Sequence, residues 1–168
     1  MLPIYVLIIT GLKTNEEVNV AYMWNLPKGI NFDGFNQAWP KVSANFQNSM
    51  LMTIPAVIIS SFIGSINGYV LSKWKFRGSE TMFAMLLFGV FMPMQVVLLP
   101  MSQVLGWLGI ASSIWGLILM HVIAGIPSTT LFFRNYYVGL PDELVKAAML
   151  DGAGFWRIFT RIVLPLST

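Results

Sequence analysis

The sequence has no cysteine, a single histidine (His121) and few charged residues, only 10% of the total. The missing thiols exclude a disulfide framework, a thiolate metal site and a cysteine nucleophile. The missing charge excludes an ordinary soluble domain, in which about a quarter of residues are charged. Locally the absence is complete, since residues 81–133 include no Asp, Glu, Lys or Arg. There is no Gly-Lys-Ser/Thr phosphate loop and no Ser, His and Asp set placed for nucleophilic chemistry, so neither enzyme activity nor a bound cofactor or metal is expected. The net charge of +3 lies in short loops beside apolar runs. Basic residues there set topology, and nucleic acid is not an expected partner.

What is present is apolar: 56% of residues are hydrophobic. This composition predicts an all-α membrane protein, a polytopic helix bundle in a single domain over residues 1–168. Each crossing takes ~20 apolar residues to cover a ~30 Å hydrocarbon core. Residues 1–12 predict part of a span, since as a helix they reach only about 18 Å. They lack the basic start and cleavage pattern of a signal peptide, and the rest of that span is expected upstream. Residues 13–47 predict an external interfacial loop with short helical pieces, punctuated by Pro, Gly, Asn and Asp and anchored by Trp24, Phe32, Phe35 and Trp39. Full spans are expected at 48–72, 81–101 and 114–133. Lys73, Lys75 and Arg77 place the turn between the first two on the cytoplasmic side, and "SQVLGWLGIASS" forms an external turn. Ser60, Gly64 and Gly68 repeat every four residues, a small-residue face for close helix approach within the chain.

The segment 134–165 is then cytoplasmic. Pro141 suits the first turn of a helix, with Asp142 and Glu143 beside the positive end of its dipole. Leu144, Ala147, Ala148 and Leu150 follow at mostly helical spacing. "DGAG" breaks the run before a second amphipathic helix, in which Phe155, Trp156, Ile158, Phe159 and Ile162 oppose Arg157 and Arg161. Two such short helices form a knob whose apolar residues need a partner. On composition alone, a lipid-surface hairpin satisfies the same pattern.

Glu143, Leu144, Ala147, Ala148, Asp151, Gly152, Ala153, Phe159, Ile162, Leu164 and Pro165 resemble the coupling-loop signature of permease subunits of bacterial ABC importers. That signature is a Glu-Ala-Ala run, a Gly and a closing Ile-x-Leu-Pro, and the spacing here matches without a gap. Lys146 stands where its first Glu is usual. "NSMLMTIPAVIISSFIGSINGYVLSKWKFRG", "FMPMQVVLLPM" and "IWGLIL" are similar to spans of carbohydrate-uptake permeases of the maltose-importer type, most of all to the second of their two permease subunits. "IPAVIISSFIGSINGY" is more like relatives that import glucose or similar monosaccharides. The resemblance implies a multi-pass subunit of the bacterial cytoplasmic (inner) membrane, with a final span expected after Thr168. Its implied partners are a homologous permease, two cytoplasmic ABC ATPase subunits that use ATP and Mg, an extracytoplasmic sugar-binding protein and membrane lipid. Glu143, Leu144, Ala147, Ala148, Asp151, Gly152, Ala153, Ile162, Leu164 and Pro165 are its implied ATPase-coupling residues.

Gln95, between Pro93 and Pro100, is a candidate for a sugar path, because a kinked helix exposes backbone and amide groups. Asn67, Tyr69 and Ser128 are further candidates, with interhelical hydrogen bonding as their alternative role. His121 has no intramembrane carboxylate to form a proton relay, and the Met-rich stretches read as flexible packing. A secondary transporter would call for intramembrane charges or an internal repeat, and neither is present. A truncated permease or a membrane scaffold without transport is the other alternative.

Overall fold

The computed structural model describes residues 2–74 and 76–167, so Lys75 of the basic turn lies outside the described residues. All regular elements among these are helical. They are α1 (Leu2–Gly11), α2 (Asp33–Lys73), α3 (Ser79–Phe91), α4 (Met94–Trp107), α5 (Ile114–Val138), α6 (Asp142–Leu150) and α7 (Phe155–Ile158). Single 3-10 turns occur at Val20–Tyr22 and Pro165–Ser167, and a π turn at Phe159–Val163 follows α7. The chain divides into two compact units, one up to Met50 and one from Leu51.

In the first unit, α1 is followed by irregular chain tied down by polar contacts. Lys13 is buried and donates to the Tyr22 carbonyl at 2.8 Å, and the Asn31 amide donates to the Leu12 carbonyl at 3.0 Å. The expected loop 13–47 is corrected from Asp33 onward, because α2 begins there and runs without interruption to Lys73. Its start is fixed by Asn31, whose side chain accepts from the Asp33 amide at 2.6 Å and donates to the Asp33 carboxylate at 3.1 Å. The turn chemistry was legible, but Phe35, Trp39, Val42 and Phe46 recur at helical spacing and are stripe residues of a helix rather than loop anchors. At 41 residues α2 has about twice the ~20 residues that one crossing of the hydrocarbon core needs.

In the second unit α2 and α5 run in parallel, packed through small residues. A Cβ added at Gly64 would lie 2.2 Å from Thr129 Oγ1, and one at Gly68 would lie 2.7 Å from the Arg134 amide nitrogen. Thr129 Oγ1 donates to the Ser60 carbonyl at 3.0 Å. The small-residue face therefore serves packing within the chain. Lower along the same pair, Ser65 Oγ and the Tyr137 hydroxyl share a buried 2.7 Å hydrogen bond. Removing either hydroxyl strands the other. Ser65→Ala and Tyr137→Phe are each expected to destabilise by about 1–3 kcal/mol, and the double variant by less than their sum. Unfolding of the three variants in detergent checks this, and strict additivity counts against the bond.

α3 lies antiparallel to α5. Arg134 reaches both carboxylate oxygens of Glu80 at 2.8 and 3.0 Å and covers the Phe83 ring at 3.9 Å, while Gly89 faces Pro127 at the other end. α2 and α5 are each long and apolar enough to cross a membrane. The expected single span at 81–101 is corrected: α3 and α4 meet at a 103° bend. Pro93 has no amide hydrogen and forces the residue before it out of the helical region, and Met92 accordingly has ψ 123°. α4 then continues to Trp107, so the turn expected over 102–113 is confined to its second half, where Gly109 has φ +71°. The ends of α2 and α5 and the start of α3 meet at one end of this unit, and the 139–167 segment packs there.

Candidate functional site

α5 stops at Gly139, and Pro141 caps α6 with Asp142 and Glu143 in its first turn. The end of α6 is a Schellman motif. The Ala153 amide donates to the Ala148 carbonyl at 2.9 Å and the Gly152 amide to the Met149 carbonyl at 3.0 Å. Closing both bonds requires a left-handed residue, and Gly152 has φ +75°. After this turn, α7 widens into the π turn, in which the Leu164 amide donates to the Phe159 carbonyl at 2.8 Å. Ile158, Phe159 and Val163 are all fully buried there.

The underside of the knob is a core. Val145, Ala148, Ile158, Phe159 and Val163 pack on Tyr69 of α2 and Tyr137 of α5. Tyr69 stacks on Phe159 at 5.5 Å between ring centres and meets Phe155 at 5.0 Å. Such aromatic pairs contribute about 0.5–1.5 kcal/mol each beyond burial. The partner that the apolar residues of the knob need is supplied on this side by the ends of α2 and α5. Trp156 is also turned the other way from the sequence pattern, 59% exposed.

Of the ten residues implied by the signature, Glu143, Leu144, Ala147, Asp151, Gly152, Leu164 and Pro165 are exposed. Ala148 is buried against its own chain, and Ile162 and Ala153 are half-buried against the same core. Those three form the seat of the knob. Leu150 is 89% exposed, and Leu144, Met149 and Trp156 of the same segment are exposed as well. A face with this much uncovered apolar surface beside a fixed turn is suited to docking. Tyr69 and Tyr137 were missed as supports because nothing local in α2 or α5 shows what lands on them.

The four path candidates occupy different settings. Tyr69 is fully buried beneath the knob. Asn67 Nδ2 donates to Thr130 Oγ1 at 3.4 Å, an interhelical contact. Gln95 is exposed. Ser128 lines a cavity of about 290 Å³ beside the α3–α4 bend, together with Met92, Met94, Met101, Met120 and Pro127. His121 Nδ1 bonds the Leu117 carbonyl of its own helix at 2.8 Å.

Apolar helices long enough to cross a bilayer, joined to a seated helical knob, define an integral membrane component of the helical type. Residues 39–168 match the family of binding-protein-dependent transport system inner membrane components, and the chain belongs to that family. Its members are transport components rather than enzymes. A probable ABC transporter permease of Pyrococcus horikoshii is 40% identical over 168 residues, covering 99% of this chain and 61% of its own. A xylose/arabinose import permease of Haloferax volcanii is 33% identical over 187 residues, covering 99% and 60%. A glucose import system permease of Saccharolobus solfataricus is 29% identical over 174 residues, covering 99% and 61%. The chain thus spans about three fifths of the length of these relatives.

Proposed function

We propose that this chain is a permease subunit of an ATP-driven sugar importer, multi-pass in the cytoplasmic membrane. It pairs with a homologous permease to form the translocation path, and a sugar-binding protein delivers substrate from outside. Cytoplasmic ATPase subunits dock on the knob, and their closure on ATP rocks the spans between outward and inward openings. The observation that carries this reading is the knob itself. One side packs on α2 and α5, while Leu144, Leu150 and Trp156 are left exposed in the same segment as the left-handed turn at Gly152. Arg77 lies in the turn after α2, at the end where the knob packs, which supports a cytoplasmic position. Sugar as the cargo class is supported by the similarity to the xylose/arabinose and glucose import permeases.

Leu150→Asp tests the docking face without disturbing the core, because Leu150 is almost wholly exposed. A central docking residue is worth about 2 kcal/mol or more, roughly 30-fold in affinity. Recovery of the ATPase subunit in detergent co-purification is expected to fall accordingly. Undiminished recovery rules out this face as the docking site.

A further inference from the structure

By sequence Lys73 is one of several loop cations, but the fold takes it out of water. It is the last residue of α2, and its side chain is 2% exposed. Its ammonium donates to the Leu140 carbonyl at 2.5 Å and to Asp142 Oδ1 at 2.6 Å. Leu140 lies in the link between α5 and α6, and Asp142 is the first residue of α6. One cation therefore joins the end of α2, the link after α5 and the first turn of the knob.

We propose that Lys73 is a positioning residue that transmits movement of the knob into α2, a proposal that rests on the importer reading. The apolar core under the knob is cohesive but non-directional, so it permits sliding. Charge-assisted hydrogen bonds are short and directional. The Asp142 side chain is 56% exposed but that of Lys73 only 2%, so opening the pair is disfavoured chiefly by the ammonium left without a charged partner away from water. Both acceptors are themselves held. The Asp142 carboxylate sits at the positive end of α6, and the Leu140 carbonyl precedes Pro141, whose ring fixes φ at −58°. A pull along α6 is then felt at the head of Lys73 rather than dissipated in the link.

The test measures ATP hydrolysis and sugar uptake side by side, on the importer assembled with its partner subunits in proteoliposomes. Lys73→Met keeps the apolar stem and removes the ammonium. It is expected to retain the ATPase and hydrolyse ATP at the wild-type rate, while sugar moved per ATP falls about tenfold, within the ~5–150-fold span of coupling effects. Lys73→Arg is expected to restore most of that ratio, since a guanidinium donates to both acceptors. Lys73→Gln carries the same comparison where the Met variant is not recovered. An unchanged ratio, a parallel loss of hydrolysis and uptake, or failure of Lys73→Arg to restore the ratio overturns the proposal. A wild-type chain that recruits no ATPase overturns the importer reading instead, a result that does not depend on Lys73.

Discussion

Gly152→Trp is expected to abolish sugar uptake while leaving the chain inserted and helical. Gly152 holds φ +75° and closes the two bonds that end α6, so any side chain there costs about 1–2 kcal/mol of backbone strain. Yet a Cβ at this position meets nothing within 4 Å among the described residues. The strain is confined to the turn, and the core of Tyr69, Tyr137 and Phe159 beneath it is untouched. The indole instead enters open space beside the turn and is expected to displace a partner docked on the knob. Gly152→Ala separates the two effects, because it introduces the strain with little bulk and is expected to keep most uptake. Sugar uptake in cells, with membrane insertion checked by protease accessibility, makes the comparison. Normal uptake by a stably inserted Gly152→Trp chain would remove the knob from the mechanism.

Gly64→Leu is expected to have the largest effect on stability. The approach of α2 to α5 at this point leaves no room even for a methyl group. The added Cβ would lie 2.2 Å from Thr129 Oγ1 and 2.9 Å from the Thr129 carbonyl carbon, and the second of these is backbone. Rotation of the Thr129 side chain relieves only the first overlap, and it breaks the bond to the Ser60 carbonyl. The helices must move apart, and with them the supports of the knob. A loss of about 3 kcal/mol, the upper end of overpacking costs, is expected. Gly106→Leu is the control, because nothing lies within 4 Å of a Cβ there. Equal stability of the two variants in detergent unfolding contradicts the close packing described for α2 and α5.

The turn at Gly152 and the small-residue face of α2 were legible because each is a local pattern with a local cause. A glycine between two amphipathic runs marks a left-handed stop, and small residues at every fourth position mark a close approach. The break at Pro93 was visible as a proline, but its 103° consequence was not. A proline in an apolar run is compatible with a kinked span or with two separate helices, and the packing of Gly89 on Pro127 belongs to the folded chain. The start of α2 was misjudged for the opposite reason. Asn31, Asp33 and Pro40 look like loop punctuation, yet Asn31 and Asp33 form the cap of a helix that continues through Pro40.

The sequence by itself determined the class of protein, since a charge-free run of 53 residues can be buried only by lipid or by other apolar helices. It also determined the family resemblance and the order of the signature residues around Gly152. Only the tertiary structure decided which side of the knob faces inward. Ala148 and Ile162 pack on α2 and α5, while Leu150 and Trp156 are left outside. It likewise turned Lys73 from a loop cation into a buried clamp. The physical reason is range. Helical period and turn chemistry act over a few residues, whereas Lys73 and Asp142, or Tyr69 and Phe159, are far apart in the chain and meet only when α2 and α5 have packed.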